Sequence, residues 1–280
     1  MAEQMRELGV EQTSATLDRV KRADVRWRSF AETVLPPVIL LFAIAALWEI
    51  VVIVQNISPI ILPKPSAIFV ELVEDLGYYF ENGVITFYEA VVGFLVGAGV
   101  AIVLAAVLAR SRVLERSVFP LVILVKATPI IVIAPLLIIW MGYGTGPKIV
   151  MAALLCFFPI LVNTIIGLRS VNLTSLEFLQ SVSASEWEIF QRLRVPHALP
   201  YVLSGFKTSV SLAVIGAVVA EWAGAGEGLG RVVFIAAANL DQVSVFAAVF
   251  VLAAMGIFLT AIVTFLEKRL LYWHESEILG

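Results

Sequence analysis

Charged and reactive side chains are scarce in this sequence. Only 15% of its 280 residues are charged, whereas soluble domains carry about a quarter. The chain holds one cysteine and two histidines, which excludes an intrachain disulfide and makes metal–thiolate chemistry an unexpected function. Cys156 lies in the apolar run MAALLCFFPILV, a setting typical of a small core residue. No cluster of histidines, paired carboxylates or nucleophile with a base indicates catalysis, so we predict neither a catalytic nor a metal site.

Apolar residues, in contrast, make up 60% of the chain and form runs of about 20, the length that crosses a hydrocarbon core as a helix. We predict an all-α, polytopic membrane protein with about six transmembrane helices. The predicted spans are 34–54, 84–109, 118–141, 147–168, 200–222 and 244–266. They form one domain, 34–270, between a tail at 1–33 and a tail at 271–280. Between the first two spans, AIFVELVEDLGYYF is typical of an interfacial amphipathic helix.

Basic residues are concentrated before the first span and after the second, fourth and sixth, as in Arg110, Arg112 and Arg116. Because cytoplasmic loops carry the excess of Lys and Arg, both termini are predicted to be cytoplasmic. The same rule places the long loop 169–199 in the cytoplasm.

This loop carries two sequence patterns for helix N-termini. Thr174 with Glu177, and Ser183 with Glu186, each fit a capping box, in which a hydroxyl precedes a glutamate by three residues. The second predicted helix presents Trp187 and Phe190, and Pro196 is expected to mark its end. Such a segment either lies on the lipid surface or against its own chain, or it docks into another protein.

The loop resembles the cytoplasmic loop of ABC-importer permeases. That family has Glu-Ala-Ala, three residues, Gly, nine residues, then Ile-x-Leu-Pro. Here the same spacing gives Glu177-Phe178-Leu179, Ser183 and Leu193-Arg194-Val195-Pro196, with both alanines and the glycine replaced. The resemblance implies that the loop contacts an ATPase through Glu177, Ser183, Glu186, Trp187, Phe190 and Pro196.

Other stretches between about 35 and 270 are similar to the nitrate/taurine/sulfonate branch of that family. They are ALWEI (46–50), LPKPS (62–66), KATPIIVIAPLLIIWMG (126–142), FFPILVNTIIGL (157–168), VPHALPYVLSGFK and AVIGAVVAEWAGAGEGLG. The form Arg-Leu-Arg-x-Pro resembles most the members for thiamine-pyrimidine and riboflavin precursors. The family implies the type I importer fold, a second copy of the chain, two cytoplasmic ATPase subunits and an extracytoplasmic binding protein in a bacterial inner membrane.

ATP binding by this chain is not expected. A phosphate-binding loop ends in Gly-Lys-Ser/Thr after a strand, and the glycine-rich stretches GYGTGPK (142–148) and GAGEGLG (224–230) lack that ending. They are typical of turns at span ends. ATP and Mg²⁺ are therefore expected in the partner ATPase, and this chain is predicted to hold no cofactor and to be no enzyme.

Charges inside spans need polar surroundings, because they are costly in a bilayer. We place Glu49 and Glu89 at interfaces. Lys126 either lines the path or pairs with an acid, or it extends to the cytoplasmic surface, while Glu221 suggests a gate or a receptor contact. Candidate residues of the translocation path are Lys126, Thr128, Pro129, Asn163 and Glu221.

The leading hypothesis is the permease subunit of an ATP-driven importer of a small organic solute: a thiamine-pyrimidine precursor, a riboflavin-like compound, or a member of the sulfonate, taurine or nitrate class. An ion-coupled secondary transporter is the alternative, and it predicts inverted repeats with paired broken helices. A membrane-embedded enzyme is the third hypothesis.

The small residues Gly93 and Gly97 predict close packing of the second span.

Overall fold

The structure is a computed structural model that describes residues 35–224 and 226–271, with the side chains of 112, 121, 123, 125–127 and 130 also outside the description. The predicted tails, 1–33 and nearly all of 271–280, lie outside the described residues. All regular elements in the described ranges are helices. They are α1 (Leu35–Val54), α2 (Pro65–Glu74), α3 (Leu76–Ala109), α4 (Arg112–Ala127), α5 (Ile130–Met141), α6 (Thr145–Arg169), α7 (Leu173–Ser181), α8 (Glu186–Ile189), a π-helix (Phe190–Arg194), α9 (Val195–Gly224), α10 (Leu229–Ala238) and α11 (Gln242–Leu270).

Five helical runs of the described residues are long and apolar enough to cross a membrane: α1, α3, α6, the run from α8 through α9, and α11. The predicted third span, 118–141, is not a single helix, because it is divided into α4 and α5 by Thr128 and Pro129. Proline disfavours the helical conformation of the residue before it and has no N–H to donate. The kink expected at Pro129 is thus a complete break between two helices, and α4 and α5 together cover the predicted span.

The fifth span also differs from the prediction, which begins it at residue 200. Helical structure runs without a gap from Glu186 to Gly224, because the π-helix joins α8 to α9. The expected break at Pro196 does not occur. Pro196 is the second residue of α9, directly after the π-helix, and Pro200 lies one turn further inside α9. Just before Pro196, the Val195 N–H bonds to the Phe190 carbonyl five residues earlier, and this wider π-type turn accommodates the proline without a break in the helix.

Contacts along the chain separate it into two compact units, 1–67 and 68–280. In the first unit, the Glu49 carboxylate accepts hydrogen bonds from the Ser66 backbone N–H at 3.1 Å and from the Ser66 hydroxyl at 2.7 Å. Ser66 lies in the first turn of α2, where unpaired N–H groups favour a negative charge. The stretches ALWEI and LPKPS are therefore joined by this contact.

In the second unit, α6 packs between α3 and α9. A Cβ built on Gly93 would collide with the Ala152 Cβ, and one built on Gly97 would lie 2.5 Å from the Ala153 carbonyl oxygen. On the other face of α6, a Cβ on Gly216 would lie 2.7 Å from the Ala152 Cα. The predicted close packing at Gly93 and Gly97 is confirmed.

Cys156 is fully buried, as the sequence predicts. Its thiol donates to the Ser209 carbonyl at 3.2 Å, while the Ser209 hydroxyl donates to the Cys156 carbonyl at 3.1 Å. Two helices of a bilayer protein gain from such reciprocal bonds between small residues. This pair holds the middle of α6 against α9.

The ends of α3 and α6 lie together. Arg169, the last residue of α6, pairs with Glu115 of α4 and donates to the Leu108 carbonyl of α3 at 3.3 Å. Since α3 and α6 pack in parallel, the basic residues that follow each of them share one end of the bundle. Helices α7 and α8 follow α6 at this end of the bundle. Helix α10 lies near the other end, where it contacts α9 and α11.

Candidate functional site

The segment 172–196, named here the coupling loop, begins with α7. The Asn172 side chain caps this helix by accepting from the Thr174 N–H at 2.8 Å. The predicted capping box of Thr174 and Glu177 is therefore wrong. Glu177 lies on exposed surface, and its carboxylate makes no hydrogen bond or ion pair with the residues that the structure describes.

Ser183 ends α7 with a left-handed backbone, at φ +57°. The Ser183 N–H bonds to the Gln180 carbonyl at 3.0 Å, and the Ala184 N–H bonds to the Leu179 carbonyl at 3.0 Å. These two bonds form a Schellman motif with Ser183 at C′, where glycine is the usual residue. The position at which the family pattern carries glycine is thus one that requires a positive φ.

The second short helix, α8, is capped by Ser185. Its hydroxyl accepts from the Glu188 N–H at 3.3 Å, and the Glu188 carboxylate accepts from the Ser185 N–H at 2.9 Å. A capping box is present, but the predicted pairing of Ser183 with Glu186 is wrong. Ser183 closes the preceding helix, so its left-handed backbone is incompatible with the extended conformation of an N-cap.

The aromatic residues of the coupling loop have different environments. Ile189 is buried, and Phe190 packs against Ala109 and Ala198, which belong to α3 and α9. The Trp187 ring stacks on Phe190 with centroids 5.7 Å apart and remains 53% exposed. The loop is therefore anchored to its own bundle on one side and presents Trp187 on the other.

Glu186 and Pro196 are both exposed, as are the large apolar side chains of Leu173, Phe178 and Val182. The coupling loop thus combines a fixed backbone with an outward surface that is partly apolar and carries the unpaired Glu177. A surface of this kind suits contact with another folded protein.

The predicted path residues whose side chains the structure describes lie on or between different helices: Thr128 and Pro129 between α4 and α5, Asn163 on α6 and Glu221 on α9. Thr128 and Pro129 are exposed at the break between α4 and α5, where the Thr128 hydroxyl donates to the Leu124 carbonyl at 3.1 Å. Asn163 is half-buried, and its amide donates to the Pro159 carbonyl at 2.8 Å. The side chain of Lys126 lies outside the described residues.

Glu221 has no exposed surface. Its carboxylate accepts from the Thr86 hydroxyl at 2.7 Å and from the Gly230 N–H at 2.5 Å, which places it at the N-terminus of α10. Gly228, at φ +110°, leaves room for it, since a Cβ there would collide with Glu221 Oε1. In this structure Glu221 therefore holds residues 226–228, named here the glycine turn, and the following helix α10 against α3 of the same chain.

The expectation of an interfacial Glu89 is wrong. Glu89 is fully buried and accepts from Lys148 Nζ at 2.7 Å, an ion pair between α3 and α6 that is nearly closed to solvent. Lys148 comes at the start of α6, where the sequence suggests only a loop lysine. We name Glu89, Lys148 and Glu221 the buried charge cluster.

Comparison with known proteins identifies the family. Residues 97–272 match the family model described as "Binding-protein-dependent transport system inner membrane component". The chain belongs to this family of ABC-transporter permeases. The permease is thus a membrane transport subunit, as the sequence resemblance predicts, and family membership argues against the hypotheses of a secondary transporter and a membrane enzyme.

Relatives match the permease over most of its length. It is 35% identical to the formylaminopyrimidine transport permease protein ThiX of Halalkalibacterium halodurans over 87% of this chain and 97% of that protein. It is 30% identical to the putative aliphatic sulfonates transport permease protein SsuC of Bacillus subtilis, over 94% of this chain and 95% of that one. The riboflavin transport system permease protein RibX of Chloroflexus aurantiacus is 30% identical over 84% of this chain and 89% of that one.

Solved structures share the permease's fold. A crystal structure of an amino acid ABC transporter aligns with a TM-score of 0.56 at 14% identity, over 72% of this chain and 96% of that chain. An inward-facing structure of the MetNI methionine ABC transporter aligns with a TM-score of 0.51 at 18% identity, over 68% of this chain and 94% of that chain. The predicted importer-permease fold is confirmed.

Sequence reasoning missed Asn172, Ser185 and Lys148. The position of Glu89 could have indicated its partner. It lies one turn before Gly93 and two turns before Gly97, on the face of the helix that the glycines predict to be closely packed. Since that face packs on the start of α6, a polar residue there requires a partner from α6. Lys148 lies one turn before Ala152, the residue that Gly93 contacts.

Proposed function

We propose that two copies of this permease form the translocation path of an importer. An extracytoplasmic binding protein delivers a small organic solute, and two cytoplasmic ATPase subunits engage the coupling loops. Six predicted spans in one chain provide half of such a passage, and a twofold pair of identical chains is the commonest way to complete it. The alternation of basic residues supports a cytoplasmic position for both termini.

The observation that carries this proposal is the construction of the coupling loop. Its backbone is fixed by the Asn172 cap, the Schellman motif at Ser183 and the Ser185 capping box. Phe190 anchors it to α3 and α9, and Ile189 beside it is buried. Such rigidity is not needed for a solvated linker, but a movement imposed by a partner is transmitted through a rigid loop.

Glu177 is the residue best placed for an ionic contact with the ATPase. It serves no cap and has no partner among the described residues, so its loss costs the isolated permease little. In liposomes that contain permease, ATPase and binding protein, we expect Glu177→Gln to weaken ATPase binding or to separate ATP hydrolysis from uptake.

Two matched variants separate coupling from folding. Asn172→Ala removes the cap of the same helix, and Glu227→Gln removes an exposed charge from the glycine turn before α10. Glu177→Gln should leave the melting temperature unchanged while it lowers uptake, whereas Asn172→Ala should lower the melting temperature. Wild-type ATPase affinity and uptake in Glu177→Gln would remove Glu177 from the proposed contact.

For the solute, we propose the pyrimidine, riboflavin-like and sulfonate classes that the names of its relatives cover. A direct test is to purify the binding protein encoded next to the permease and measure its melting temperature with one compound of each class. The compound that stabilises the binding protein should then be taken up by the reconstituted complex in an ATP-dependent manner. Stabilisation by none of the three classes would contradict this assignment and leave the permease assignment intact.

A further inference from the structure

The buried charge cluster joins three helices and holds more negative than positive charge. Glu89 of α3 and Glu221 of α9 are both 0% exposed, and Lys148 of α6 is 7% exposed. The positive charge of Lys148 compensates the negative charge of one carboxylate. A second carboxylate remains in a site closed to water, where an unpaired charge is strongly unfavourable.

The hydrogen bonds show where a donor is missing. Glu89 Oε1 accepts from Lys148 at 2.7 Å, while Glu89 Oε2 is buried with no hydrogen-bond donor among the described residues. Both oxygens of Glu221 already accept, from Thr86 at 2.7 Å and from the Gly230 N–H at 2.5 Å. Glu221 is bonded to Thr86, which lies one turn before Glu89 on α3, so the two buried carboxyl groups are neighbours. Two acceptors that face each other form a bond only if a proton lies between them.

Within the described part of the chain, the one cation bonded to these carboxyls is Lys148, and its partner is Glu89. The bonds of Glu221 come from a hydroxyl and a backbone N–H. From α10 comes the partial positive charge of its N-terminus, while the guanidinium of Arg231 on that helix lies over the Phe234 ring, 5.6 Å from its centroid. A helix terminus supplies about half a charge, which does not neutralise a full carboxylate.

We propose that the buried charge cluster is a proton-binding site, in which Glu89 and Glu221 share one proton at neutral pH beside the Lys148 ammonium. With this proton the cluster is neutral, and the acid pair bonds α3 to α9 next to the glycine turn. Two carboxylates that share one site commonly retain a proton in this way, because like charges at contact repel. Raising the pH removes the proton and leaves two neighbouring negative charges, so the hydrogen bond of the acid pair is lost on the alkaline side and the bond from Thr86 to Glu221 remains.

Infrared spectroscopy tests the proton directly. A protonated carboxylic acid has a carbonyl stretch that a carboxylate lacks, so the wild-type permease should show this band at neutral pH and lose it on titration to alkaline pH. Glu89→Gln and Glu221→Gln should each abolish the band, whereas Glu227→Gln, which changes an exposed glutamate of the same turn, should retain it. Absence of the band from the wild type, or its persistence in both buried variants, would overturn the proposal.

Thermal stability supplies an independent test. The Glu221→Gln substitution introduces a neutral amide whose carbonyl can still accept from the Gly230 N–H, while the Thr86 hydroxyl can turn to the Asn82 carbonyl, 3.2 Å away. In this variant the charges of Glu89 and Lys148 balance without a proton. The wild-type melting temperature should therefore fall on the alkaline side, and that of Glu221→Gln should fall less.

If the melting temperatures of the wild type and of Glu221→Gln fall equally at alkaline pH, the alkaline transition has another origin and the proposed proton-binding site is refuted. Should Glu221→Gln fail to fold, the infrared titration of the wild type still decides.

Discussion

Replacing Ser183 by glycine is expected to stabilise the coupling loop. Ser183 has φ +57° at the C′ position of the α7 Schellman motif. A left-handed backbone costs an ordinary L-residue about 1–2 kcal/mol, whereas glycine adopts it freely but loses about 0.5–1 kcal/mol more in backbone entropy when ordered. The net gain is about 0.5–1 kcal/mol, which lowers the equilibrium population of the locally opened segment by roughly two- to five-fold.

Hydrogen exchange followed by mass spectrometry measures this opening in peptides that cover α7 and its C-terminus. The informative amides are those of Ser183 and Ala184, which donate to the last turn of α7. Ser181→Gly is the matched control: Ser181 is the last residue of α7, and glycine inside a helix costs up to about 1 kcal/mol, so exchange should become faster. If Ser183→Gly exchanges as fast as the wild type or faster, the backbone at Ser183 is not strained and the reasoning fails.

Three further predictions concern other parts of the molecule. Asn172→Ala should destabilise α7 by about 0.5–2 kcal/mol, and Thr174→Ala should change hydrogen exchange in α7 much less, because Asn172 provides the cap. Gly97→Val should prevent close packing of α3 on α6, since even a Cβ there would lie 2.5 Å from the Ala153 carbonyl; we expect loss of folded protein in size-exclusion chromatography, and a normal yield would contradict the packing. Lys126→Met should impair uptake with normal membrane insertion if this lysine lines the path, and unchanged uptake would favour its extension to the membrane surface.

Apolar run length was sufficient to predict the helical class and the long apolar helices, while the orientation inferred from the basic residues stays a prediction. A proline inside a predicted span indicates a kink at Pro129, but run length predicts neither the full separation of α4 from α5 nor the continuity through Pro196. Both features depend on how the local hydrogen bonds are rearranged around a proline. A proline removes a donor at either position, but only at Pro196 does a π-helix precede it.

The caps of the coupling loop show why a correct motif can be placed at the wrong residue. Ser183 and Ser185 are both followed three residues later by a glutamate, so the pattern alone does not distinguish them. The Schellman motif at Ser183 decides between them, because a residue that closes one helix cannot open the next with the same backbone. Glu89 and Lys148 are separated by 59 positions in the chain. Patterns of caps and helical periodicity concern neighbouring residues and therefore do not predict such a pair.

The uninterrupted helix from α8 through α9 has a mechanical consequence. With a rise of about 1.5 Å per residue, the 30 residues of α9 extend about 45 Å, from the coupling loop to the glycine turn that Glu221 holds. A rod of this length that tilts by about 5° displaces one end relative to the other by about 4 Å. If α9 moves as one body, a small tilt imposed at the coupling loop becomes a displacement of this size at the glycine turn.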